Sequence, residues 1–179
     1  MPRLFVAAGL PERIRDDIAG LYEAIPGARW TEDDKLHITL RFIGGVDGAA
    51  AQSIDSVLRT VTFAPFTLTL KSTGFFPPRG QPRVLWCGIS GGDGLIRLQK
   101  HIERGLTSKA GLPPQDKKFH PHITIARLSA ASDEKLARFL AKNALFETEP
   151  FMVSGFALYS SLLRSEGAVY TREAEYRMG

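Results

Sequence analysis

The hydrophobic pattern of this chain switches repeatedly between period two and period 3.6, which predicts short strands alternating with amphipathic helices. Residues 3–8 read as a strand. Pro11 follows at a position tolerated at the start of a helix, and Ile14, Ile18, Leu21 and Ile25 recur at helical spacing until Pro26-Gly27. Residues 35–43 alternate as a strand stopped by Gly44-Gly45, and Asp47 is placed to cap a helix running to about Arg59. Phe66, Leu68 and Leu70 alternate with Thr67, Thr69 and Lys71, the mark of a half-buried strand. A loop of breakers, Phe75 to Pro82, leads into a strand over 83–89. Gly91-Gly92-Asp93 then opens a helix carrying Leu95, Leu98, Ile102 and Leu106. A strand over 119–128 and a helix opened by Ser132-Asp133-Glu134 complete the second series. Strands near 151–159 and 168–176 close the chain, with Gly167 in the turn between them.

Side by side, the two halves run in the same order: strand, helix, strand, helix, strand. The pattern predicts an α+β protein of two lobes. A single domain over 1–179 is expected, with pseudo-repeats of about 1–74 and 83–160 and one added C-terminal strand. No low-complexity linker divides them.

The repeat matters because of what each copy carries. His37-Ile38-Thr39-Leu40 lies in the first half and His122-Ile123-Thr124-Ile125 in the second. On a strand, each His shares a face with the Thr two residues on, while the aliphatic residues face the core. Two such pairs facing one another would suit phosphoryl chemistry without a metal. Histidine serves as acid or base near neutrality, and threonine hydroxyls can donate to non-bridging phosphate oxygens. One His-Ile-Thr on a strand is commonplace, but two in equivalent places point to chemistry.

The flanking residues extend the case. Arg3-Leu4-Phe5-Val6-Ala7, Leu10-Pro11-Glu12, Trp30, Arg41-Phe42-Ile43-Gly44, Gly74-Phe75-Phe76-Pro77, Pro82-Arg83-Val84-Leu85-Trp86, Phe119-His120-Pro121 and Ala126-Arg127 surround the two motifs. With Leu158-Tyr159-Ser160-Ser161 and Gly167-Ala168-Val169-Tyr170, they resemble the two-histidine phosphoesterases, and within these the RNA 2′,3′-cyclic phosphodiesterases once described as 2′-5′ RNA ligases. The resemblance implies two antiparallel sheets with outer helices around a cleft, and no cofactor. It implies His37 as proton donor to the leaving 3′ oxygen and His122 as the base that activates water. Thr39, Thr124 and Arg127 would hold the phosphate, and the partner would be RNA ending in a 2′,3′-cyclic phosphate. A monomer is expected. Small cyclic nucleotides or 2′-5′ linkages are alternative substrates, and an RNA-end-binding module without turnover is an alternative function.

Geometry qualifies two arginines. Arg127 lies five residues past His122, so strict alternation puts it on the wrong face unless the strand bulges. Arg41, four past His37, falls on the catalytic face by the same count. Trp30, Phe75 and Phe76 are candidates to stack on a base, with Arg79 and Arg83 as backbone contacts. His120-Pro121-His122 has a chelating spacing, yet only Asp116 lies nearby as a third ligand, so no metal is expected. His101, on a helix, reads as solvent-facing.

Composition then narrows the setting. A net charge of +4 suits an anionic partner. The lone Cys87 excludes an internal disulfide and reads as a buried strand residue, which makes the cytoplasm the expected compartment. The apolar run 4–10 is too short to span a membrane and reads as a first strand, not a secretion signal.

Overall fold

The computed structural model describes residues 3–165 and 167–177. The elements follow in the order β1 (Arg3–Ala8), α1 (Glu12–Ala19), β2 (Ala28–Trp30), a 3-10 turn (Asp33–Lys35), β3 (Ile38–Gly45), α2 (Gly48–Leu58), β4 (Phe66–Phe76), β5 (Val84–Ser90), α3 (Asp93–Ser108), β6 (His122–Leu128), α4 (Asp133–Lys142), β7 (Phe151–Val153), β8 (Gly155–Arg164) and β9 (Gly167–Arg177). Two antiparallel sheets result, with strand orders β3-β1-β8-β9 and β2-β6-β5-β4-β7.

The sheets do not coincide with the halves expected as repeats. β2 and β4, from the first half, pair with β6, β5 and β7 of the second, while β8 and β9 return to flank β1. The strand expected over 151–159 is in fact two. β7 pairs with β4 and, after Ser154, β8 pairs with β1, so the chain crosses from one sheet to the other within a single residue. The two lobes are therefore interlaced along the chain.

Local chemistry explains most of the element ends. Asp47 caps α2 by accepting from the Ala50 N–H at 2.8 Å, and Ser132 caps α4. α1 is shorter than its apolar period suggested: Pro11 is its N-cap and the helix stops at Gly20. Leu21 and Ile25 are nevertheless buried, carried inward by the turns that follow. β4 runs through Phe75 and Phe76, residues expected in a loop, because Ser72 at φ 57 and a register shift between Leu70 and Thr73 absorb the irregularity. β2 was not foreseen at all, since three residues are too few to show a period.

One face of each sheet packs on the helices. Leu4, Val6, Ala8, Ile38 and Leu40 from the first sheet and Leu85, Cys87, Ile123, Ile125 and Ala126 from the second belong to one buried cluster with Ile14, Ile54, Leu98, Ile102 and Phe139 of the helices. The Cys87 thiol is buried and pushed up to about 12, so it stays a neutral apolar filler. Among the described residues no helix is long and apolar enough to cross a membrane.

Candidate active site

The remaining faces of the two sheets border a cleft, with β3 and β6 approaching one another along it. Ile38 and Leu40 are buried on the helix side, which by alternation leaves His37 and Thr39 toward the cleft. Ile123 and Ile125 do the same for His122 and Thr124. A cavity of about 800 Å³ is lined by Thr39 from one motif and His122 from the other, together with Phe42, Phe76, Arg83, Lys117 and Phe119. A second, of about 530 Å³, lies on the His37 side against Phe5, Tyr159, Tyr170 and Arg172.

Both histidines are held in the same way. His37 Nδ1 donates to the Lys35 carbonyl at 2.7 Å and His122 Nδ1 to the His120 carbonyl at 2.6 Å. A carbonyl can only accept, so each Nδ1 must carry a proton, and in the neutral ring Nε2 is left with its lone pair. At His37 that nitrogen lies 2.9 Å from the Thr39 hydroxyl.

The surroundings differ. The His37 ring packs against Phe5 at 5.1 Å and edge-on to Tyr170 at 5.6 Å, whereas His122 meets the Phe76 ring edge-on at 5.1 Å. Burial lowers the affinity of both imidazoles for a proton, and the bond to a backbone carbonyl partly opposes it. For His37 the charges of His122 and Arg127 depress it further; for His122 the neighbours are His120 and Arg127. One guanidinium thus acts on both rings.

Arg127 reaches the cleft because β6 bulges. Trp86 pairs with Thr124 and Leu85 with Ala126, so Ile125 is an extra residue and the face reverses after it. The first motif has the same device: Ala7 pairs with Thr39 and Val6 with Arg41, so Leu40 is extra. This overturns the expectation for Arg41. The bulge turns it to the helix side, where it is 4% exposed, and presents Phe42, 63% exposed, to the cleft instead. Phe42 stands five residues past His37, as Arg127 stands five past His122. Strict alternation missed it; applying the bulge argument to the first motif would have found it.

The aromatic candidates separate. Phe76 lines the cavity, while Phe75, one residue back, is carried to the opposite face by alternation. Trp30 does not face the cleft: its indole donates to the Glu23 carbonyl at 3.1 Å and packs edge-on against Phe139. Arg29, its neighbour on β2, faces the cleft side and pairs across the ladder with Arg127. Arg83 lines the cavity, and Arg79 stays at the exposed hairpin tip. His120 lines it too, but no group of three or more metal-ligating His, Cys, Asp or Glu side chains gathers among the described residues. His101 is exposed on α3. Phe5, Tyr159, Tyr170, Lys117 and Lys118 were not foreseen as cleft residues, since nothing in their spacing marks them.

A cleft between two interlaced antiparallel sheets, with one His-x-Thr strand from each, defines a two-histidine phosphoesterase architecture. The sequence profile of the 2′-5′ RNA ligase superfamily matches residues 9–163, and the chain belongs to that family. A protein of Aeropyrum pernix named RNA 2′,3′-cyclic phosphodiesterase is 38% identical over 160 residues, which cover 88% of this chain and 89% of that protein. TT0787 of Thermus thermophilus superposes with a TM-score of 0.82 at 28% identity, covering 98% of this chain and 97% of that one. Escherichia coli LigT, solved in complex with 3′-AMP, superposes with a TM-score of 0.78 at 27% identity, covering 99% of each chain.

Proposed function

We propose that this protein hydrolyses the 2′,3′-cyclic phosphate at the end of an RNA strand to a 2′-phosphomonoester, without a metal, using His37 as acid and His122 as base. The observation that carries this reading is the pairing of the two motifs across one cleft. Each imidazole is fixed in one tautomer by a carbonyl two residues before it, so that Nε2 is the working nitrogen. Similarity to the Aeropyrum pernix protein over most of both chains supports the substrate class, and the complex of LigT with 3′-AMP supports a nucleotide in the cleft.

In the proposed reaction neutral His122 takes a proton from water through Nε2 as the water oxygen attacks phosphorus. The bond from phosphorus to the 3′ oxygen breaks, and His37, protonated at both nitrogens, gives its Nε2 proton to that oxygen. The products are a 2′-phosphate and a 3′-hydroxyl. Afterwards His37 is neutral and His122 charged, and exchange with solvent resets both. Thr39, Thr124 and Arg127 hold the non-bridging oxygens, where the added charge of the transition state collects. Phe42 and Phe76 offer faces to the terminal base. The expected working form is a monomer acting on RNA ends.

The test is turnover of a short oligonucleotide ending in 2′,3′-cyclic phosphate, in excess chelator, with the product's phosphate position read by phosphorus NMR. Formation of a 2′-phosphate in chelator supports the reading. Loss of activity in chelator with recovery on adding zinc or manganese would replace it with a metal-dependent hydrolase. Tight binding with no turnover would leave an end-binding module.

A further inference from the structure

The segment 109–121 between α3 and β6 has no regular structure, yet two of its points are pinned from beneath. Arg41, buried on the helix side of β3, donates to Glu103 Oε1 of α3 at 3.0 Å and to the carbonyl of Pro113. The same Glu103 oxygen accepts from the Gln115 N–H at 2.9 Å. A guanidinium left unpaired in such a place would be strongly disfavoured, so the ion pair and the loop hold one another. Just beyond these anchors the loop delivers Lys117, Lys118 and Phe119 to the cavity that contains Thr39 and His122. A loop ordered in advance loses less freedom when a ligand arrives than a mobile one does.

Lys117 and Lys118 have no place in the chemistry at phosphorus, which Thr39, Thr124 and Arg127 serve. A free cyclic mononucleotide carries no other phosphate. An RNA end does: its next phosphodiester hangs from the 5′ oxygen of the terminal ribose. We propose that Lys117 and Lys118, held by the Arg41–Glu103 clamp, form a subsite for that penultimate phosphodiester, so that the protein selects strand ends over free cyclic mononucleotides. The inference rests on the reading given under the proposed function. Arg41 is a positioning residue, acting through the loop.

The test compares a 2′,3′-cyclic mononucleotide with a short oligonucleotide ending in the same nucleotide, for the wild type, Lys117→Ala/Lys118→Ala, Arg41→Lys and the exposed control Lys135→Ala on α4. The double variant is expected to raise KM for the oligonucleotide at least about fivefold more than KM for the mononucleotide, leaving the control at wild-type values. The dependence of oligonucleotide kcat/KM on salt should flatten, by about 0.7 in logarithmic slope for each phosphate of the single strand that is no longer neutralised. Arg41→Lys keeps the charge but not the fork. It should reproduce the oligonucleotide KM change and hasten tryptic cleavage after Lys117 and Lys118. Equal changes for both substrates, or none, would overturn the subsite; unchanged KM and cleavage in Arg41→Lys would overturn the clamp. Should Arg41→Lys fail to fold, the lysine pair, exposed on the loop, decides the subsite alone. A wild type that turns over neither substrate defeats the underlying reading, whereas one that turns over both with equal KM defeats only this inference.

Discussion

His37 and His122 stand in the same local frame. Each donates from Nδ1 to the carbonyl two residues before it, each shares a strand face with its Thr, and each is followed by a bulge one residue after that Thr. The difference begins at the residue the bulge presents: Phe42 in one lobe and Arg127 in the other. His37 also sits among Phe5 and Tyr170, while His122 meets Phe76 and lies within the electrostatic reach of His120. The shared frame sets two imidazoles against one centre. The divergent position gives the cleft a direction, with a guanidinium on one side and an aromatic face on the other.

The sharpest way to break the pair's equivalence is to remove each imidazole in turn. His37→Ala and His122→Ala should each lower kcat/KM on a cyclic-phosphate oligonucleotide by about 10²–10⁴-fold, the usual worth of positioned proton transfer. A 2′-ester of ribose phosphate with a nitrophenolate leaving group separates their roles, because that group departs without a proton. His37→Ala should recover most of its loss on this substrate and His122→Ala should not. Equal recovery by both would sink the assignment of acid and base.

The position five past each His gives the next effect. On the proposed mechanism Arg127→Ala should cost about 10²-fold in kcat/KM on every substrate, since it would remove a charged donor at the developing negative charge. Phe42→Ala should raise KM by about tenfold, corresponding to about 1–3 kcal/mol of base stacking, with kcat nearly unchanged. An effect of Phe42→Ala on kcat alone would show that its ring supports the His37–Thr39 strand and not the base. Arg127 and Phe42 would then no longer form a functional contrast.

These residues also mark how far sequence reached. The two motifs and the helix caps at Asp47 and Ser132 were legible, because they are written in period and short-range chemistry, whereas the antiparallel sheets were expected only through the family resemblance. The route of β7 into one sheet and β8 into the other was not, since a single apolar run serves both sheets equally. Arg41 was misread and Phe42 overlooked for one reason: a bulge leaves no signature in residue types and reverses every face after it. Only the requirement that Arg127 face the cleft hinted at it. Trp30 stayed an open candidate because β2, a strand of three residues, shows no period, and its inner face is set by its pairing with β6. Lys117 and Lys118 lie in an irregular loop, where their placement depends on a long-range ion pair that no local pattern encodes.

The smallest effect is a displacement along the pH axis. On the proposed roles the free enzyme must hold His37 charged and His122 neutral, and the share of molecules in that form peaks between the two ionisations. Burial first, and then neighbouring positive charge, place both below their ordinary value of 6.5. The bell of kcat/KM against pH should therefore reach its maximum on the acid side of 6.5. Above it activity falls as His37 loses its proton; below it activity falls as His122 gains one. Arg127 depresses both rings, so in Arg127→Ala both ionisations rise and the whole bell shifts toward alkaline pH, with its height reduced. His120→Ala removes a charge that depresses His122 but is absent from the causes acting on His37, so it should move the acid limb upward and leave the alkaline limb in place. A profile in which His120→Ala moves the alkaline limb instead would exchange the two roles, making His122 the group that must be charged.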